Sequence, residues 1–269
     1  SDRAHRGAGA GANAKMVRLW ATKTRDDEWW SSFVTAPLAV LGNYAVVEVA
    51  WLTPNLLTLT SFVTAIVAAA LIVVGGTVKF VIAALLIHVS HIFDCMDGQM
   101  ARYRGMTSAA GSFFDRVTDQ IQVTLWFGAV GYAAYDASSE VLPVFLAMVG
   151  IAFYSLRGYT KYVAIHVEMS RDSQYLQRMA SEEPLADDRG THDHQFDLRA
   201  TLRWFLHEQR KIARFDEGVF VFMLALALVL NRLTPMLWLF AASQLYYGLF
   251  RTWQQGRNIQ LDRQIPVAK

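Results

Sequence analysis

The sequence predicts an all-α, polytopic membrane protein with six transmembrane helices preceded by a helix lying at the membrane interface. Three observations predict it. Of the 269 residues, 54% are hydrophobic, 13% aromatic and only 18% charged. Six mainly apolar stretches reach or approach the roughly 20 residues a helix needs to cross the hydrocarbon core. Lysines and arginines alternate between the connecting segments as the positive-inside rule requires.

Taken in order, Ser1 to Lys15 is Gly/Ala-rich and polar, with no signal-peptide pattern, and reads as a disordered start to an amino-terminal segment 1–28. Residues 29–255 form the membrane domain. Trp29 to Val47 joins Trp29, Trp30 and Phe33 to a moderately apolar run broken by Pro37 and Gly42, which suits an interfacial helix; a re-entrant or seventh span is the alternative. The spans lie near Leu56–Gly75, Lys79–Met96, Ser112–Ala134, Val141–Val163, Gly218–Asn231 and Pro235–Trp253. The fifth is short, and a lead-in helix could complete it. Glu168 to Gly218 is polar, acidic first and then basic, and reads as a cytoplasmic loop (168–216) ending in an amphipathic helix. Residues 256–269 form a carboxy-terminal tail.

Six Lys/Arg precede the first span, two separate the second from the third, eight separate the fourth from the fifth, and four surround the carboxy terminus. The opposite loops hold only Lys79 and Arg232. Both termini and the mouth between spans two and three are therefore expected in the cytoplasm of an inner-membrane-type protein.

A formal net charge of +2 is too small for a nucleic-acid binder working through a broad basic face. The lone Cys95 excludes an internal disulfide and any cysteine-built zinc or iron–sulfur site. It reads as an inert buried thiol. The eight tryptophans fit interfacial belts.

The chemistry concentrates in HIFDCMDGQMARYRGMTSAAGSFFDRVTDQ. Asp94 and Asp97 lie about 60° apart on one helix face, and Asp115 and Asp119 stack one turn apart on the next helix. Four carboxylates in one pocket repel and lose hydration unless cations neutralise them. Hard oxygen donors without cysteine select Mg²⁺ or Mn²⁺. Mg²⁺ completes its shell with water and phosphate oxygens, so the pocket predicts a phosphate-bearing substrate and a two-ion arrangement. Gly98, Ala101 and Gly111 lie four residues from Asp94, Asp97 and Asp115 and leave room for a ligand or a close helix. Arg102 and Arg104 supply donors at the mouth.

Each part has a bland reading, as cap, packing residue or topology anchor. The joint pattern D-x-x-D-G-x-x-A-R-x8-G-x3-D-x3-D does not: eight fixed positions coincide by chance about once in 10¹⁰ placements at roughly one in twenty each. The pattern resembles the signature of the CDP-alcohol phosphotransferase family, over about residues 16–255. The resemblance implies that Asp94, Asp97 and Asp115 bind metal, that Asp119 is the general base with a metal role as well, and that Gly98, Ala101, Arg102 and Gly111 line the CDP site. The lead-in TPNLLTLT is similar to the family's Pro-Asn-x-x-Thr, which implies that Asn55 and Thr58 help hold the nucleotide. It also implies a homodimer acting on a CDP-alcohol donor and an acceptor alcohol beside membrane lipid. CMP leaves as the acceptor hydroxyl attacks phosphorus.

Arg157 and Lys161, four apart in the fourth span, either snorkel to the cytoplasmic edge or grip an acceptor that carries its own phosphate, such as inositol phosphate or glycerol phosphate. Arg116 and Arg251 are weaker candidates for the same role. His88 and His91 could extend a metal string to Asp94, but read better as hydrogen-bonded packing residues. The leading expectation is an enzyme of phospholipid synthesis using CDP-diacylglycerol. A soluble CDP-alcohol joined to a soluble polyol phosphate is the alternative within the class. Intramembrane prenyltransferases and cation transporters also use aspartate-rich helices, but neither accounts for the Gly-x-x-Ala-Arg insert.

Overall fold

The computed structural model describes residues 14–23, 28–175, 177 and 209–261, and among them every regular element is helical. Helix α1 spans residues 14–20. A π-helical turn, Ser31–Thr35, runs directly into α2, Ala36–Val46. Then follow α3 (Pro54–Val74), α4 (Thr77–Arg104), α5 (Ala109–Ser138), α6 (Leu142–Arg171), a 3₁₀ turn (Gln209–Arg214), α7 (Glu217–Val229) and α8 (Leu233–Gln260).

Three of these helices are long and apolar enough to cross a membrane: α3, α4 and α6, with 21, 28 and 30 residues. Helices α5 and α8 match them in length with 30 and 28 residues, but carry more polar side chains. Helix α7 has only 13 residues. The described part of its expected lead-in helix is the 3₁₀ turn, which Phe215 at φ +46° separates from the Asp216 cap. Most of the 168–216 loop, with its expected amphipathic helix, and the 262–269 tail lie outside the described residues.

Residues 29–46 form one continuous helix that runs through Pro37 and Gly42. Proline lacks an N–H and crowds the preceding turn, and the π-helical widening immediately before it accommodates both effects. Gly42 marks a close approach: a Cβ there would meet Met96 Sδ at 2.8 Å.

Helix α4 packs against α2, α3 and α7, while α6 packs against α8 and α5. Alanines at the crossings (Ala65, Ala68, Ala83, Ala84, Ala133, Ala147) let the backbones approach, as suits helices in lipid, which gain little from burying apolar side chains against one another. Phe127 and Phe240 stack in the centre with ring centroids 3.5 Å apart. Large apolar residues point outward on α3 (Val63, Ile66, Val67) and on α6 (Phe145, Met148), a distribution a bilayer satisfies and water does not. A buried polar tie fixes the register of α3, α4 and α5. Ser61 Oγ donates to the Ser90 carbonyl at 2.9 Å, and Ser90 Oγ donates to Gln122 Oε1 at 3.0 Å.

Candidate active site

The site begins at the turn between α4 and α5. Gly105 at φ +65° ends α4 in the left-handed conformation that glycine adopts without strain, and the Met106 N–H returns to the Ala101 carbonyl at 2.8 Å. Three residues later Ser108 caps α5, accepting the Gly111 N–H at 3.0 Å. So short a connection turns the carboxylates of α4 and α5 toward one space, with both helices packed on α3. The TPN lead-in is also a helix start: Thr53 accepts the Leu56 N–H at 3.3 Å and Pro54 opens the first turn of α3.

Asp94, Asp97 and Asp115 converge, each offering a carboxylate oxygen within 4.8 Å of the other two. Asp94 Oδ1 is buried and has no hydrogen-bond partner among the described residues. Such an atom is costly unless a cation satisfies it, so the trio fits a divalent metal with hard oxygen ligands. Thr58 donates to Oδ2 of Asp97 and orients it. Asp119 lies one turn further along α5, outside the trio, where the charges of Glu217, Asp115, Glu28 and Asp97 bear on it.

A cavity of about 320 Å³ opens beside the trio. Its wall includes every residue expected on the nucleotide side: Asn55, Thr58, Gly98, Ala101, Arg102 and Gly111. The first turns of α3 and α5 both border it, bringing two helix N-termini toward one space, an arrangement that favours anionic phosphate. Arg102 is held from the outside, donating Nε to the Thr22 carbonyl at 2.7 Å, with its guanidinium folded over Gly98. Arg104 is not at this mouth. It donates to the carbonyls of Val47, Val49 and Leu52 at 2.6–2.9 Å and anchors the α2–α3 connection.

A second cavity, of about 270 Å³, is lined by Glu28, Gln120, Tyr154, Arg157, Gly158, Lys161, Asp216, Glu217, Arg251 and Gln255. It gathers three of the four expected acceptor cations. Arg157 Nη1 also donates to the Phe215 carbonyl at 3.0 Å and to Gln244 Oε1 at 2.7 Å. Arg116 lines instead a wide groove between α5 and α6 that Lys161 shares.

The histidines are packing residues. His91 Nε2 lies 2.9 Å from Ser31 Oγ, while His88 meets Trp30 edge-on and its Nδ1 lies 3.0 Å from the Ala84 carbonyl. Cys95 Sγ is 3.7 Å from Thr35 Oγ1.

Residues 51–179, which carry α3 to α6 and both aspartate pairs, match the family model for CDP-alcohol phosphatidyltransferase. This stretch is similar to that family. The reaction of that family transfers a phosphate group from a CDP-alcohol to an alcohol, and the matched stretch carries the three helices long and apolar enough to cross a membrane. No curated protein matches the chain.

Sequence reasoning missed Glu28, Asp216 and Glu217. The run Asp216-Glu217-Gly218 before an apolar stretch is a helix-start signal, and the Asp216 cap on Val219 could have been found from it. Nothing local marks Glu28, which reaches the same place from 190 residues away.

Proposed function

We propose that the protein transfers the phosphatidyl group of CDP-diacylglycerol to the hydroxyl of an acceptor carrying its own anionic group, releasing CMP, with the active-site end facing the cytoplasm. The observation that carries this reading is the position of Asp119, preceding the cavity-lining Gln120 and one turn beyond the Asp94–Asp97–Asp115 trio that borders the nucleotide-type cavity.

In this reading the CDP moiety occupies the α3–α4–α5 cavity, with Asn55, Thr58, Gly98, Ala101, Arg102 and Gly111 around it. Two Mg²⁺ or Mn²⁺ ions on Asp94, Asp97, Asp115 and Asp119 would supply neutralisation of the diphosphate and of the charge growing on departing CMP. Arg157, Lys161 and Arg251 hold the acceptor's anionic group. Asp119 accepts the proton of the acceptor hydroxyl as its oxygen bonds to the phosphorus bearing the diacylglycerol. The bond from that phosphorus to the bridging oxygen breaks, and CMP leaves with the electron pair.

A lipid donor is supported by a small, mostly apolar cavity between α3 and α5 (Leu59, Phe62, Phe114, Thr118) that also touches Asn55 and Thr58, giving a tail a lateral way out beside the nucleotide. The cytoplasmic placement rests on the lysines and arginines flanking this end, and the six-span count on the lengths of α5 and α8. Exposed Phe113, Tyr159 and Tyr162 on α5 and α6 suit the homodimer.

The test crosses CDP-diacylglycerol, CDP-inositol and CDP-glycerol with inositol phosphate, glycerol phosphate, serine and inositol in detergent with Mg²⁺, reading CMP by mass spectrometry. CMP formed from CDP-diacylglycerol and one anionic acceptor is the expected result. CMP from a soluble donor alone would overturn the lipid assignment.

A further inference from the structure

The cavity that gathers Arg157, Lys161 and Arg251 is not simply basic. Three carboxylates, Glu28, Asp216 and Glu217, line it with them. A pocket built only to grip an anion would gain nothing from carboxylates in its wall, since each weakens the attraction. Their presence calls for hydrogen donors on the bound molecule.

Part of this acidic wall is structural. Asp216 Oδ1 caps α7 by accepting the Val219 N–H, and Glu28 Oε2 accepts the Gly218 N–H. Gly218 allows that approach: a Cβ there would come within 3.0 Å of Glu28 Cβ and Oε2. The aromatic packing that follows keeps Glu28 in place, with Trp30 4.6 Å from Phe222 and Trp29 5.4 Å from the same ring. Glu28 therefore stands in the cavity wall at a position fixed by the start of α7. Glu217, the first residue of α7, makes no cap at all in this arrangement. Both glutamates line the same cavity as Gln120, the residue that follows Asp119 on α5.

We infer that Glu28 and Glu217 determine acceptor specificity, binding hydroxyl or ammonium hydrogens on the acceptor while Arg157, Lys161 and Arg251 bind its anionic group. The inference rests on the proposed transfer reaction and deepens it. The acceptor is then a small molecule with three functions: the attacking hydroxyl, an anion, and a further hydrogen-donating group. The cavity's size, about 270 Å³, suits a molecule of this kind.

The experiment compares kcat/KM for sn-glycerol 3-phosphate, myo-inositol 1-phosphate and L-serine with that for 2-hydroxyethyl phosphate, which has the anion and the attacking hydroxyl and nothing more. Wild type, Glu28→Gln and Glu217→Gln are assayed with CDP-diacylglycerol and Mg²⁺. Glutamine keeps a carbonyl oxygen for the Gly218 N–H, so the cap survives in Glu28→Gln. In wild type the best acceptor should exceed 2-hydroxyethyl phosphate by about 100-fold or more, and each variant should shrink that ratio about 10-fold, mainly through KM. Preference for serine would identify the group read as ammonium, and preference for a polyol phosphate as hydroxyl. Equal loss toward all acceptors, which a structural role predicts, would overturn the inference, as would a wild type that uses 2-hydroxyethyl phosphate as well as the others. CMP release with any acceptor upholds the transfer reaction even if the inference falls, whereas silence with every acceptor overturns both.

Discussion

Thr58, in the first turns of α3, donates its hydroxyl to Oδ2 of Asp97, 39 residues later on α4. The same hydroxyl lies 3.2 Å from the Pro54 carbonyl. One side chain therefore joins the helix start that borders the nucleotide-type cavity to a carboxylate of the metal-fitting trio. Losing a group that orients a metal-ligating carboxylate typically costs about 10- to 100-fold in metal affinity or activity.

Thr58→Val keeps the shape and removes the donor. The Mg²⁺ concentration giving half-maximal CMP release should rise about 10- to 100-fold, with Thr58→Ser restoring most of the loss. A Mg²⁺ titration of activity checks it, and an unchanged midpoint would reduce Thr58 to a helix-packing residue.

Asp119→Asn removes the proton acceptor while leaving the trio of Asp94, Asp97 and Asp115 in place. Turnover should fall by about 10²- to 10⁴-fold with CDP affinity changed only a few-fold. Paired measurements of kcat and CDP binding decide it. A parallel collapse of both would make Asp119 chiefly a metal ligand.

Lys161 is a cleaner probe of the acceptor cavity than Arg157. Removing Arg157 also leaves the Phe215 carbonyl and Gln244 without their donor, so a loss there mixes binding with structure. Lys161→Gln should raise the acceptor KM about 10-fold with a smaller effect on kcat. Steady-state kinetics at saturating donor would show it.

Gly150 on α6 faces the ring of Phe240, which is fully buried and stacked on Phe127. A Cβ at this position would overlap the Phe240 ring. Gly150→Ala should lower stability by about 1–3 kcal/mol, seen as a reduced Tm in detergent, because a stacked pair in a packed core cannot yield without losing its own contacts.

The aspartate cluster was legible in the sequence because its parts are close in the chain. Asp94 to Asp119 lies on two helices joined by a four-residue turn, so spacing alone sets which side chains share a face. Asn55 and Thr58 were marked by the resemblance of TPNLLTLT to the family's Pro-Asn-x-x-Thr, and both line the cavity beside the trio. The second cavity was legible only in its cations, since Arg157 and Lys161 are conspicuous in an apolar run while Glu28 and Glu217 stand in polar segments where carboxylates attract no notice. Arg104 misled for a related reason. Composition cannot tell an arginine aimed at a phosphate from one that satisfies three backbone carbonyls. Pro37 and Gly42 interrupt the apolar run of the 29–46 helix, and a π-helical turn and the contact with Met96 absorb both.

The central claim is that the Asp94–Asp97–Asp115 trio holds the metal through which this chain grips CDP, and CDP binding measured calorimetrically in detergent with and without Mg²⁺ tests it most directly. The account predicts binding that is lost with EDTA, restored by Mg²⁺, and weakened at least 10-fold in Asp94→Asn. CDP binding of equal strength without divalent metal, or indifferent to Asp94→Asn, would contradict it.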